Sequence, residues 1–307
     1  MGAFLLRRLL TSVPTLLVIV TLAFGLLHAA PGGPFDGDKA MLPEIRASIE
    51  AAYHLDEPLP LQYGRYLWQL LQGDFGPSFQ YRNTSVNELI AQGLPIDATI
   101  GGLALLLALL VGMPLGMLAA LKRNTVWDRA GMAVALLGIS VPVYVTAPVF
   151  VLVFAVGLHW LPAGDWGGGA WRNLVLPVLA LALPYIAYVA RIQRASLADV
   201  LHSPYIRTAR AKGLPWRTVI LRHALKPALL PLVSFLGPAA IGVITGSIVI
   251  ETTFGLPGIG RFFVDGAFNR DYTLVMGVTV LYGVLIVAAN LVADVCYALL
   301  DPRVRLE

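Results

Sequence analysis

The stretch RIQRASLADVLHSPYIRTARAKGLPWRTVILRHALK, residues 191–226, joins two long apolar runs of this 307-residue chain. It carries eight Lys or Arg residues against a single acid, Asp199. In a chain dominated by apolar runs of membrane length, so basic a connection is expected on the cytoplasmic side of a membrane. This stretch therefore predicts both a membrane fold and its orientation.

The same basic stretch contains the signals of two short helices. Ser203 can cap a helix over Tyr205–Lys212, the proline after that serine suits its first turn, and Gly213 can end it. A second short helix is expected to begin at Pro215 and to end before Pro227. A membrane protein that builds a helix-turn-helix on its cytoplasmic face is expected to present it to a partner.

The composition outside this stretch is that of an integral membrane protein. The chain is 57% hydrophobic and 13% charged, whereas a soluble domain carries roughly 25% charged residues. Six runs are long enough to cross a bilayer, which takes about 20 mainly apolar residues. We predict an all-α fold with six transmembrane helices. The six runs are Leu9–His28, Ala98–Leu121, Ala130–Gly157, Leu174–Ala190, Ala228–Ile250 and Leu274–Leu300.

The distribution of Lys and Arg predicts that both termini are cytoplasmic. With the N-terminus inside, 15 of these residues fall in cytoplasmic segments and seven in outer segments. The sequence pI of about 9.3 therefore needs no nucleic acid to explain it. The first apolar run is longer than that of a signal peptide, so we interpret it as a retained span.

Three regions follow from this arrangement. Residues 1–93 are expected to hold the first transmembrane helix and an extracytoplasmic segment, and residues 94–300 the five-helix core with its cytoplasmic loop at 191–227. Residues 301–307 are expected to form a cytoplasmic tail.

The segment between the first and second spans is rich in acids, aromatics and turn signals, so we expect short helices on the outer face. Either a structural cap or a docking surface for a soluble partner fits that composition.

Few residues within the predicted spans have ionisable or reactive side chains. Asp294 is expected to be the only ionisable residue at depth, with a packing or capping role favoured over an ion pathway. Glycines four residues apart at 112–116 and 242–246 predict close helix packing. The lone cysteine, Cys296, excludes an internal disulfide and is expected to be buried.

An outer gate loop is predicted between the last two spans. Four turn-forming residues within six positions interrupt any helix there, yet the segment is too apolar to be a solvated loop. We expect it to pack against the helices at the outer mouth; a packed loop with no transport role is the alternative. The residues that we assign to the outer gate loop are Glu251, Phe254, Gly255, Leu256, Pro257, Gly258, Ile259, Gly260, Phe262 and Phe263.

Catalytic motifs are missing from the sequence. The five histidines are scattered, no His-x-x-x-His pair occurs, and no lysine follows a glycine as in a phosphate-binding loop. We therefore predict a protein that is not an enzyme, with no metal site and no bound cofactor. If it moves a solute uphill, either another chain supplies the energy or an ion gradient does.

The basic stretch strongly resembles a known family. Tyr205–Gly213, followed by Leu225–Ala228, is similar to the cytoplasmic loop of binding-protein-dependent ABC importer permeases. In that family a Glu-Ala-Ala…Gly consensus forms a coupling helix that docks in a cleft of an ATPase. The glutamate is missing here, so docking through the helix backbone is expected. The resemblance assigns coupling to Ser203, Tyr205, Ile206, Arg207, Thr208, Ala209, Arg210, Ala211, Lys212 and Gly213.

Nearly the whole chain resembles the B-type permease of oligopeptide importers. Two long runs, Leu201–Lys212 and Ile220–Pro231, favour oligopeptide over dipeptide or nickel permeases, which share only parts of the pattern. Shorter matching runs are Leu5-Leu-Arg-Arg8, Ala30-Pro-Gly-Gly-Pro34, Gly73-Asp-Phe-Gly-Pro-Ser78, Ala119-Ala-Leu-Lys122 and Gly255-Leu-Pro-Gly-Ile-Gly260.

The resemblance implies a type I importer permease in the bacterial inner membrane. Its expected partners are a homologous second permease, two cytoplasmic ATPase subunits that hold ATP and Mg, an extracytoplasmic peptide-binding protein and membrane lipid. The alternatives are a dipeptide, nickel or glutathione permease of the same fold, an ion-driven secondary transporter, and a membrane-embedded enzyme or scaffold.

Overall fold

The computed structural model describes residues 2–35 and 43–300, and within these residues the fold is helical throughout. The predicted tail, 301–307, lies outside the described residues, as does 36–42 of the segment after the first span. The helices are α1 (Gly2–Ala29), α2 (Pro43–Ala52), α3 (Leu59–Leu71), α4 (Val86–Leu121), α5 (Val126–Ser140), α6 (Val143–Phe150), α7 (Trp171–Leu201), α8 (Pro204–Ala211), α9 (Trp216–Thr218), α10 (Leu225–Ala228), α11 (Leu230–Ile244), α12 (Ile248–Phe254), α13 (Ile259–Phe268) and α14 (Tyr272–Leu300). Two π-helical segments, Val151–Gly157 and Val219–Ala224, continue α6 and α9.

Four helices are long and apolar enough to cross a membrane alone, namely α1, α4, α7 and α14. Two further apolar stretches are bent pairs. The first joins α5 to α6 and its π-helical end with a bend of 97°, and the second joins the α9–α10 stretch to α11 with a bend of 47°. The described residues therefore hold four to six crossings, and all six predicted runs fall on these elements.

Two of the predicted runs are not continuous helices. The run Ala130–Gly157 breaks at Pro142, because Val141 before the proline is extended, with φ −89° and ψ 115°. The run Ala228–Ile250 breaks after Ile244, where Gly246 has a left-handed φ of +82°. Both breaks are at residues whose backbone preferences oppose a straight helix.

The second helix of the basic stretch runs further than predicted. It begins after Pro215, as expected, but continues through Pro227 to Ala228. Pro227 directly follows the π-helical turn Val219–Ala224, where the regular α-helical hydrogen-bond pattern is already interrupted.

Helices α4 and α7 form the central pair of the bundle. A β-carbon on Gly112 would lie 2.7 Å from the Ile186 carbonyl oxygen, so only glycine permits this approach. The packing role predicted for the glycines at 112 and 116 is thus confirmed. The second pair of glycines, at 242 and 246, is different, since Gly246 lies beyond the end of α11 rather than on a helix face.

A polar contact joins α7 to α5. Arg194 of α7 donates two hydrogen bonds, at 2.5 and 2.7 Å, to the buried Asp128 of α5.

The last helix is held at both ends. Asp271 begins α14 and accepts hydrogen bonds from the Leu274 amide at 3.1 Å and from the buried Ser78 hydroxyl. Asp294 forms an ion pair with Arg8 of α1 at 2.9 Å, a contact that fits the packing role that we predicted. Cys296 is exposed on α14, so the prediction of a buried thiol is wrong.

Candidate functional site

The predicted coupling helix is present as α8, between an extended residue and a left-handed glycine. Ser203 occupies the N-cap position with φ −67° and ψ 151°. Its hydroxyl donates to the Val200 carbonyl oxygen at 2.6 Å instead of accepting from α8, so the position was predicted correctly and the side-chain cap was not. Pro204 stands first in the helix, as expected.

Gly213 ends α8 in a Schellman motif. Its φ is +79°, its amide donates to Arg210 at 2.9 Å, and the Leu214 amide donates to Ala209 at 3.4 Å. A β-carbon at Gly213 would meet no atom within 4 Å. The requirement for glycine here is therefore conformational, since space is available.

Two of the ten predicted coupling residues face into this chain. Ile206 and Ala209 are buried against Leu197 and Ala198 of α7 and against Ala120 at the end of α4. Because both side chains are covered, they hold α8 in place and are not available to a partner. The exposed members of the predicted set are Tyr205, Arg207, Thr208, Arg210, Ala211, Lys212 and Gly213.

The exposed surface of α8 continues into the turn that follows. The Arg210 guanidinium lies 5.1 Å from the centre of the Trp216 ring, a cation–π distance. Leu214 and Trp216 are 38% and 44% exposed. This surface is basic, with an apolar edge that nothing in the described chain covers.

The predicted outer gate loop is a second helix–turn–helix, formed by α12 and α13. Helix α12 ends at Phe254, Gly255 is left-handed with φ +65°, and α13 begins at Ile259. A continuous helix is absent, as the turn-forming residues predicted. Phe254 and Leu256 are each 1% exposed, so the segment packs tightly in spite of its turns.

This hairpin packs between α4, α7 and α14. Phe254 and Leu256 lie in a cluster with Ile96 of α4 and Leu176 of α7. Ile259 packs on Val86 and Leu89 of α4 and on Leu274 and Val278 of α14. Leu176 and Leu197 are 21 positions apart on α7, which places the hairpin about 30 Å from α8. That distance matches the hydrocarbon thickness of a bilayer, about 30 Å.

Two buried carboxylates hold the start of α13. Asp97 of α4 accepts from the Ile259 amide at 2.7 Å, and Glu251 of α12 accepts from the Arg261 amide at 2.6 Å. They are 3% and 1% exposed. Because the first amides of a helix have no partners within it, the two side chains cap α13 from outside.

The two carboxylates also lie close to each other. A β-carbon on Gly246 would lie 2.9 Å from Asp97 Oδ2 and closer still to Glu251 Oε1. One on Gly258 would lie 2.5 Å from the Glu251 carboxyl carbon, so a side chain at either position would displace the carboxylates. Glu251 Oε1 has no hydrogen-bond partner within the described residues. Burial raises the pKa of Glu251 from 4.5 to about 6.

Asp97 is the residue of this site that the sequence analysis missed. The second span begins at Val86, twelve residues earlier than predicted, and this places a buried Asp97 inside the helix. The expectation that Asp294 is the only ionisable residue at depth is therefore wrong. The sequence did place Asp97 at the edge of an apolar run, two residues after Pro95. That position alone does not show that Asp97 lies beside Glu251, which is 154 positions away in the sequence.

A helical membrane chain with an exposed basic helix-turn at one end and a buried hairpin at the other has the features of a transporter permease. A family model described as "Binding-protein-dependent transport system inner membrane component" matches residues 112–306. A second model, for the N-terminal part of such membrane components, matches residues 1–100. The chain belongs to this family, and the resemblance found in the sequence is confirmed.

Relatives that match over the full length agree with the family. The chain is 54% identical over 302 residues to "Oligopeptide transport system permease protein OppB" of Escherichia coli strain K12, covering 98% of this chain and 99% of that protein. It is 40% identical over 307 residues to "Dipeptide transport system permease protein DppB" of Bacillus subtilis strain 168, covering 100% and 99%.

A solved structure supports the fold. The inward-facing MetNI methionine ABC transporter matches with a TM-score of 0.55 and 17% identity, covering 69% of this chain and 96% of the matched chain. At that identity the likeness concerns the fold alone. The protein therefore has the helical fold of ABC importer permeases.

Proposed function

We propose that this protein is the permease subunit of a binding-protein-dependent ABC transporter that imports oligopeptides across the inner membrane. The observation that carries the proposal is its 54% identity, over 98% of the chain, to a protein named as an oligopeptide permease. We count each bent pair as one crossing, which gives six spans with both termini in the cytoplasm and α3 on the outer side.

In this proposal α8 transmits the motion of an ATPase subunit. Its exposed, basic outer face supports docking, while Ile206 and Ala209 join it to α4 and α7, so that a push on α8 reaches the spans. ATP and Mg bind to the ATPase subunits, and this chain carries out no catalysis. A second permease completes the translocation path, and an extracytoplasmic binding protein delivers the peptide.

The α12–α13 hairpin is the outer gate in this proposal. Its burial against α4, α7 and α14 supports the idea that parting of these helices exposes it. To test this, we would place Ile259→Cys in a Cys296→Ser background and measure labelling by an impermeant thiol reagent. Labelling is expected to change when ATP is trapped or the binding protein docks. Phe268→Cys, at an 83% exposed position of α13, serves as the control that should be labelled in every state.

The transport function is tested by reconstitution. The chain is co-purified with its second permease, ATPases and binding protein, placed in liposomes, and assayed for ATP hydrolysis and uptake with tri- to pentapeptides. Peptide-stimulated hydrolysis with accumulation inside the vesicles is expected. Uptake that persists without ATP and collapses with an uncoupler would contradict the proposal in favour of an ion-driven transporter.

A dipeptide permease is the second candidate, favoured by the 40% identity to a protein with that name. The two are separated by competition in the same liposomes. If dipeptides stimulate hydrolysis at lower concentrations than longer peptides do, with the same binding protein present, the dipeptide assignment replaces the oligopeptide one.

A further inference from the structure

Helix α3, Leu59–Leu71, has three different faces. The first face packs against the bundle. Tyr63, Tyr66, Leu67 and Leu70 of this helix lie in one cluster with side chains of α1 and α14. That cluster includes Val20 and Phe24 of α1 and Met276 and Val280 of α14. This face fixes α3 to two helices that cross the membrane.

The second face of α3 is polar and its side chains have partners. The Gln62 amide donates to the Leu55 carbonyl oxygen at 3.1 Å and to that of Glu57 at 2.8 Å. The Arg65 guanidinium donates to the Glu57 carboxylate at 2.6 Å. These three hydrogen bonds are with the segment that leads into α3, and the Gln62 side-chain oxygen also lies 3.3 Å from His28 of α1, so the polar face is covered by other parts of this chain.

The third face is apolar and exposed. Leu61, Gly64, Trp68 and Leu71 recur at spacings of three and four, which places them along one side of a helix. Leu61, Trp68 and Leu71 are 61%, 65% and 81% exposed. No charged residue interrupts this stripe. Three large apolar side chains on one exposed stripe require a covering environment.

The depth of α3 indicates which environment covers this stripe. The hydroxyls of Tyr63 and Thr21 are 2.6 Å apart, and the same face reaches Val20. Val20 lies nine residues before the end of α1 at Ala29, about 13 Å along the helix axis. Because α1 crosses the membrane, a helix that packs this far from its end lies at the level of the lipid.

The part of α1 that α3 contacts is itself apolar and exposed on its other side. Leu22 and Leu26 of α1, at the same level as Tyr63, are 60% and 72% exposed. A helix with one apolar exposed face, one polar face and a tryptophan fits the boundary between acyl chains and headgroups. We propose that α3 is an interfacial helix whose Leu61–Gly64–Trp68–Leu71 stripe is seated in the acyl chains of the leaflet at the Ala29 end of α1.

The proposal is tested by the depth of spin labels in the assembled transporter in lipid nanodiscs. Leu61→Cys and Leu71→Cys are each made in a Cys296→Ser background, labelled, and probed with dissolved oxygen and a water-soluble nickel complex. Leu26→Cys on α1 is the lipid reference, and Arg82→Cys in an exposed loop is the water reference. Two positions on the stripe guard against local distortion by one label.

We expect both stripe labels to resemble Leu26→Cys, with collision rates for oxygen several times those for nickel. A pattern like that of Arg82→Cys would place the stripe in water and overturn the proposal. Low accessibility to both reagents would mean that a protein chain covers the stripe, which also overturns it. The measurement does not depend on transport activity, so its result is separate from the proposed function.

Discussion

The coupling helix α8 and the α12–α13 hairpin use the same local device in opposite surroundings. Each has a short helix followed by a left-handed glycine, Gly213 with φ +79° and Gly255 with φ +65°. A β-carbon at either glycine would meet nothing within 4 Å. The turn itself is therefore equivalent in the two regions.

The difference between the two regions lies in what surrounds the turn. Around Gly213 the side chains are exposed and basic, whereas beyond Gly255 the chain is buried and held by Asp97 and Glu251. At α8 the turn lies on an exposed surface that a partner can reach. In the α12–α13 hairpin it leads into a buried contact within the chain. Substitutions at α8 are thus expected to affect coupling, and substitutions at the hairpin to affect stability and gating.

The largest effect is expected from Gly258→Ala in the hairpin. The added β-carbon would lie 2.5 Å from the Glu251 carboxyl carbon, and overpacking of this kind costs about 1–3 kcal/mol or more. A clear drop in the melting temperature of the purified complex is expected. Gly255→Ala is the matched control: it has free space and costs only the left-handed conformation, about 1 kcal/mol. Equal melting temperatures for the two variants would show that the carboxylate contact is not tight.

Glu251→Gln should remove part of the pH dependence of stability. Because burial raises the pKa of Glu251 from 4.5 to about 6, the folded protein binds a proton more readily than the unfolded chain. Stability should therefore fall by about 2 kcal/mol in total as the pH rises from well below 4.5 to well above 6. The variant keeps an acceptor for the Arg261 amide but has no charge, so this fall should shrink. Melting curves of both proteins between pH 4.5 and 7 measure it, and parallel curves would contradict the prediction.

Gly213→Val should uncouple ATP hydrolysis from uptake while the permease remains in the membrane. The left-handed turn costs a residue with a β-carbon about 1 kcal/mol or more, and a branched side chain tolerates it poorly. Hydrolysis and uptake are measured together in liposomes. Gly213→Asn is the control, because asparagine adopts this conformation more readily, and it should retain coupling. Normal uptake by the valine variant would exclude the turn from the mechanism.

The smallest effect is expected from Asp294→Asn. Its ion pair with Arg8 joins side chains that are 30% and 53% exposed, and such pairs contribute about 0–1 kcal/mol. Uptake and its pH profile should stay the same as in the unchanged protein. A shifted pH profile in a variant that inserts normally would support an ion-coupled role for Asp294 instead.

Local sequence signals predicted much of the two turns. Pro204 and Gly213 gave the start and end of α8, since proline fits a first turn and glycine adopts a positive φ. The glycines after Phe254 predicted a break between α12 and α13. The spans were found because length and apolar composition suffice for a bilayer. Their ends were less certain: α4 begins twelve residues before the predicted start.

The sequence by itself determined the membrane class, the positions of the apolar runs and the turns at Gly213 and Gly255, because each depends on the chemistry of neighbouring residues. Only the tertiary structure decided that Ile206 and Ala209 face inward and that Asp97 meets the amide of Ile259. Those contacts join residues from different helices. Local sequence preferences do not specify which helices pack against each other. The depth of α3 beside α1 is likewise a property of packing, since its three-faced pattern alone fits several environments.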